Sequence, residues 1–80
     1  MRGPGMTTLL LNRVKDLRTA AGLTQADLAD LVTVSRKTIN TIENAVFVPS
    51  TVLALRIAAA LNCRVEDVFS LAPTGPTSDQ

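Results

Sequence analysis

The sequence predicts an all-α domain, a compact bundle of five short helices, and three observations carry that expectation. The first is length, because eighty residues provide for one hydrophobic core and little else. The second is the palette of core residues. Hydrophobic residues make up 46% of the chain, but aromatics only 2%, with Trp and Tyr absent. The core is therefore built from Leu, Val, Ile and Ala, with Phe47 and Phe69 as its only large rings, and Ala and Leu are strong helix formers. The third is periodicity: apolar residues recur at helical spacing, in runs separated by capping and stopping residues.

Met1 to Thr8 contains Gly3-Pro4-Gly5 and no apolar periodicity, so residues 1–8 read as a flexible leader. Residues 72–80, rich in Pro, Thr, Gly and Ser, read as a disordered tail, and residues 9–71 as the folded domain. Leu10, Val14, Leu17 and Ala21 fall on one face of a first helix over about Leu10 to Ala21, and Gly22 stops it in a left-handed conformation. Thr24 caps a second helix, with Asp27 completing an approximate capping box; Leu28, Ala29, Leu31 and Val32 supply its apolar residues. Ser35 caps a third helix reaching about Asn44. Ser50, after Pro49, caps a fourth, whose buried stripe is Leu53, Ile57, Ala58 and Leu61 and whose left-handed stop is Asn62. Val65 to Phe69 is long enough for one short fifth helix.

The third helix is the one with an unusual surface. At about 100° per residue, Ile39 and Ile42 fall together on one side, flanked by Ser35 and Thr38. Arg36, Lys37, Asn40, Thr41 and Asn44 fall on the other. That outer face carries donors and acceptors but no carboxylate, whereas an ordinary solvated face mixes both signs of charge. The set suits DNA: Arg or Lys donates to guanine O6 and N7, Asn pairs with adenine, and Thr touches a thymine methyl. By angle alone, a merely solvated helix explains the face equally well.

The wider context shifts that balance. Gly22-Leu23-Thr24-Gln25-Ala26-Asp27-Leu28-Ala29, then Val34-Ser35-Arg36-Lys37-Thr38-Ile39-Asn40, then Ile42-Glu43-Asn44 resembles the helix-turn-helix of the Cro/repressor family, also called the xenobiotic-response-element family. Pro49-Ser50 with the Leu53-Ala54-Leu55-Arg56-Ile57-Ala58 run, and Val65-Glu66-Asp67-Val68-Phe69, resemble its fourth helix and closing segment. The resemblance covers about Asn12 to Leu71. It implies a lambda-repressor-like domain whose second and third helices form the helix-turn-helix. It also implies sequence-specific binding of double-stranded DNA by a small transcriptional regulator. Gln25, Ser35 and Asn44 would hold phosphates, with Gln25 also bracing the third helix, and Arg36, Lys37, Asn40 and Thr41 would face base edges in the major groove. Arg18 and Glu43 would form a structural ion pair. Some relatives are antitoxins or coactivators, so a module whose main partner is another protein is the alternative.

The chain departs from the family pattern at two turns. Thr33 and Ala45 stand where relatives usually carry Gly, at sites that tend to need positive φ, so each turn is either strained by about 1 kcal/mol or reshaped. Val46 replaces a common Lys or Arg, and Arg64 a common capping Ser.

Composition narrows the remaining classes. The net charge is only +1 and there is no His, so the basic element is local. With one cysteine, Cys63, neither an internal disulfide nor an ordinary zinc site is expected, and the usage suits a reducing compartment. No signal peptide or membrane span is legible, which reads as cytoplasmic. Without a His-based nucleophile pair or Gly-rich phosphate loop, no enzyme, metal or cofactor is expected. Repression by promoter occupancy is the expected mode, since no effector domain is legible. A mean hydropathy of +0.25 is high for so small a core. A homodimer on a palindromic operator is therefore expected, with Val65, Val68, Phe69 and Leu71 as its contact and Val46, Phe47 and Val48 adding to it. The competing reading has Phe69 closing the monomer's own core.

Overall fold

The computed structural model describes residues 10–72; the expected leader lies outside them, as does the expected tail beyond Ala72. Five helices appear in order: α1 (Val14–Ala20), α2 (Gln25–Val32), α3 (Arg36–Glu43), α4 (Thr51–Ala60) and α5 (Val65–Val68). Two short strands flank them, β1 (Leu10–Asn12) and β2 (Phe69–Leu71). The expected all-α domain is thus a mostly helical one. Among the described residues no helix is long and apolar enough to cross a membrane.

The helix boundaries follow local chemistry. Thr24 accepts the Asp27 N–H at 3.0 Å while the Asp27 carboxylate accepts the Thr24 N–H at 2.9 Å, which forms a complete capping box. Ser35 and Ser50 accept the N–H groups of Thr38 and Leu53, each at 3.1 Å. Gly22 and Asn62 end α1 and α4 at φ +77° and +58°. Arg64 brings no capping acceptor, but the Asp67 carboxylate accepts its N–H at 3.1 Å and starts α5.

The first helix begins four residues later than its spacing suggests. Leu10, Leu11 and Asn12 pair antiparallel with Leu71, Ser70 and Phe69, and Arg13 N–H donates to the Val68 carbonyl at 2.8 Å. A strand partner from the far end of the domain thereby overrides local helical propensity. Asn12 makes the junction: its Oδ1 accepts the Val14 N–H at 3.2 Å, and its Nδ2 donates to the Ile42 carbonyl, 3.0 Å away, at the end of α3.

The core sits where α2, α3 and α4 converge. Leu28, Ile39, Ile42 and Ile57 are completely or almost completely buried, each contributing about 1.5–3 kcal/mol relative to exposure. Ala29 is buried between α2 and its neighbours, whereas Leu31, expected among the apolar residues of the second helix, points outward at 60% exposure. Val68 and Phe69 are 1% and 8% exposed. They belong to the monomer's own core, and this corrects their expected place in a contact between two copies. Leu71 is exposed and Val65 half-buried.

The two substituted glycine positions keep the glycine conformation, with φ +59° at Thr33 and +61° at Ala45, so the turns are strained and not reshaped. Thr33 has help: its hydroxyl donates to the Val32 carbonyl and accepts from Arg56 Nη1 at 3.2 Å. Ala45 makes no side-chain bond. Ala45→Gly is therefore expected to raise stability by about 1 kcal/mol. Thermal unfolding followed by circular dichroism checks this, and the midpoint should rise by about 4–8 °C.

Candidate nucleic-acid interface

The α2–α3 turn sets how α3 is presented. Thr33 reverses the chain, Val34 N–H donates back to the Ala29 carbonyl at 3.0 Å, and Ser35 then opens α3 in an extended conformation. Ile39 and Ile42 seat the inner side of α3 in the core, leaving Arg36, Lys37, Asn40 and Asn44 exposed and Thr41 half-buried. Gln25, at the first turn of α2, lines one hollow together with Arg36, Lys37 and Asn40. Ser35, Lys37, Thr38 and Thr41 line another with Val46 and Phe47. Asn44, beside the end of α3, is linked to Asn40 by a 3.3 Å side-chain hydrogen bond. The expected DNA-facing residues thus share the outer side of a single helix and its two margins.

One carboxylate in α3 would spoil that surface, and it is turned inside. Arg18 Nε and Nη2 donate to Glu43 Oε2 and Oε1 at 2.6 and 3.2 Å, and Arg18 Nη1 donates to the Leu23 carbonyl at 2.9 Å. Gln25 Nε2 donates to the same Glu43 Oε1 at 3.1 Å. The side chains of Arg18 and Glu43 are only 10% and 3% exposed. Burial alone pushes the Glu43 carboxyl up. The hydrogen bonds from Arg18 and Gln25, with the charges of Arg18 and Lys15, outweigh that push and hold it below its ordinary value. The Arg18 guanidinium is held above its usual range, chiefly by its hydrogen bond to Glu43. Sequence reading alone missed the Leu23 carbonyl, the Asn12 clamp and the Arg56 prop under Thr33. Only the Asn12 bond to the Val14 N–H has a local signal, an Asn two residues ahead of the helix; the contacts to the Ile42 and Leu23 carbonyls and from Arg56 have none.

A short helix with an acid-free polar face, held on its predecessor by a left-handed turn, is the working part of a helix-turn-helix DNA-binding domain. The sequence profile of the helix-turn-helix family matches residues 14–68, and the chain belongs to that family, in its Cro/repressor or xenobiotic-response-element branch. The HTH-type transcriptional regulator YgzD of Bacillus subtilis is 45% identical over 60 residues, covering 75% of this chain and 91% of that protein. An HTH-type transcriptional regulator of Methanothermobacter thermautotrophicus is 44% identical over 71 residues, covering 88% of this chain and 97% of that one. Among solved structures, the restriction-modification controller protein C.AhdI from Aeromonas hydrophila superposes with a TM-score of 0.65 at 33% identity. That match covers 68% of this chain and 82% of the controller. The clp gene regulator ClgR from Corynebacterium glutamicum also gives 0.65, at 26% identity, covering 68% of this chain and 57% of ClgR. The function at this level is DNA-binding transcription regulation.

Removing Glu43's charge leaves a buried guanidinium without its counter-ion. Glu43→Gln is expected to destabilise by about 3 kcal/mol or more, and a melt within a degree of wild type would show the pair to be inconsequential. The depressed Glu43 pKa adds a pH signature. Its stabilisation is full above the ordinary carboxyl value of 4.5 and is lost as pH falls through the lower folded value. The stability difference between wild type and Glu43→Gln should therefore shrink on acidification below about 4.5 and hold steady above it, as melts across pH 2.5–7 would show.

Proposed function

We propose that the protein represses transcription by occupying a promoter, with α3 in the major groove of a specific duplex and a second copy on the other half-site. The observation that carries this reading is the outer face of α3, where Arg36, Lys37, Asn40 and Thr41 stand together while the helix's one carboxylate is sequestered by Arg18 and Gln25. Arg36 and Lys37 donate to guanine, Asn40 addresses adenine, and Thr41 completes the readout. Gln25, Ser35 and Asn44 at the margins hold phosphates and fix the register. Val46 in place of a cation weakens the non-specific share of binding, so sequence preference rests more heavily on the base contacts.

One recognition helix spans few base pairs, and two copies in successive major grooves double the readout, with half-sites about 34–36 Å apart. Since Val68 and Phe69 are core residues, the contact between copies falls on their exposed and half-buried neighbours. Leu10, Val48, Ala54, Leu55 and Val65 border a mainly apolar hollow floored in part by Phe69. Leu71, opposite Leu10 across the sheet, extends it. Leu55 and Leu71 are 52% and 68% exposed, an apolar surface of the kind that partners cover.

Selection of bound sequences from a random duplex pool defines the target. On that duplex Arg36→Ala is expected to cost about 1–3 kcal/mol and relax preference at one base pair; unchanged affinity and preference in both Arg36→Ala and Lys37→Ala would remove the assignment. Sedimentation equilibrium should show a wild-type dimer that Leu55→Asp and Leu71→Asp convert to monomer. A wild type monomeric both free and on a palindromic duplex would end the two-copy reading.

A further inference from the structure

We infer that the hollow between α3 and the loop following it seats the 5-methyl group of thymine, and that Val46 and Phe47 are specificity-determining residues. This rests on the reading that α3 lies in the major groove, and it adds to that reading a base contact by the loop residues Val46 and Phe47.

The hollow, about 320 Å³ and open on one side, is lined by Ser35, Lys37, Thr38, Thr41, Val46 and Phe47. Three of these are hydroxyl residues, and each hydroxyl makes at least one hydrogen bond within α3 and its cap. Ser35 Oγ accepts the Thr38 N–H at 3.1 Å and shares a hydrogen with Thr38 Oγ1 at 2.9 Å. Thr41 Oγ1 donates to the Thr38 carbonyl at 2.9 Å. The lining is mainly apolar, and Val46 and Phe47 are its two wholly apolar side chains.

Those two side chains are exposed but not loose. Val46 is 76% and Phe47 45% exposed. Both their backbone N–H groups donate to the Thr41 carbonyl, at 2.9 and 3.2 Å, and Ala45 N–H donates to the Ile42 carbonyl at 3.0 Å. The loop is thereby tied to the last turn of α3, and its apolar pair is held beside the base-reading face. Adjacent apolar side chains in that place are unfavourable against phosphate and favourable against carbon. The apolar group that the four bases present at their major-groove edges is the thymine methyl. Lys37, the cation on the rim, places a donor next to the same base step. The hollow is thus continuous with the DNA-facing surface and chemically distinct from the rest of it.

The test uses the full chain and a duplex enriched from a random pool, with each thymine replaced in turn by deoxyuridine and binding followed by fluorescence anisotropy. At one thymine position in each half-site, wild type is expected to bind roughly fourfold more weakly, the contribution of one buried methyl. The Val46→Ser, Phe47→Ser double variant, bound to the same duplexes, is expected to show no such loss. If Phe47→Ser lowers the melting temperature, Val46→Ser alone carries the test. Tolerance of uracil at every position by wild type would overturn the inference, as would an equal uracil effect in wild type and variants. A change of association state in Val46→Ser without any thymine dependence would also overturn it, assigning the hollow to a second copy. Failure to enrich any duplex would strike the DNA reading itself, an outcome distinct from a bound duplex indifferent to uracil.

Discussion

The buried pair of Arg18 and Glu43 is the constraint around which this domain is arranged. A guanidinium so enclosed is tolerable only when its donors are matched, and the matching partners come from separate elements. The Leu23 carbonyl lies in the turn after α1, Glu43 is the last residue of α3, and Gln25 opens α2 and shares the Glu43 carboxylate. Hydrophobic burial supplies more stabilisation but little direction. Ile39 and Ile42 would accept some rotation of α3 about its axis, whereas a two-point guanidinium–carboxylate contact does not. The same contact that fixes the helix also removes the charge that would repel phosphate from its outer side. Stability and surface chemistry thus depend on one interaction.

What could be read from the sequence was whatever is encoded within a few residues. Thr24, Ser35 and Ser50 announce helix starts because a cap acts on the N–H three residues ahead. Gly22 and Asn62 announce stops because they tolerate a left-handed backbone. The outer face of α3 was legible for the same reason, since helical geometry fixes angle from spacing. The β1–β2 pairing was not, because Leu10 has a helical relation to Val14 and its true partner, Leu71, lies at the opposite end of the described chain. Val68 and Phe69 illustrate a different limit. An apolar residue at the end of a small domain suits a core and an interface equally, and only packing decides which. Leu31 went the other way, apolar by type yet outward by angle.

Thr33 and Ala45 show two treatments of the same difficulty. Both occupy a left-handed conformation that glycine would adopt at lower cost. Thr33 is held by bonds from its own hydroxyl, one of them to Arg56 on α4, so its strain is partly offset and the reversal between α2 and α3 is tied to a third helix. Ala45 has no such tie and relies on backbone hydrogen bonds alone. The turn that orients α3 is therefore better anchored than the turn that leaves it.

The strand pairing has a kinetic meaning as well as a structural one. Every helix here can begin from contacts close in sequence, but joining Leu10 to Leu71 closes a loop of roughly 60 residues, and the length-dependent part of that entropy is about 3.6 kcal/mol. Such a contact gains ground late, once the helices have already drawn the two strands together. The Asn12 bond to the Ile42 carbonyl and the Arg13 bond to the Val68 carbonyl belong to the same junction. The Asn12 tie to the end of α3 is thus made in the closing stage of folding, and a chain whose sheet has opened is left with Arg18 and Gln25 to hold that end through Glu43.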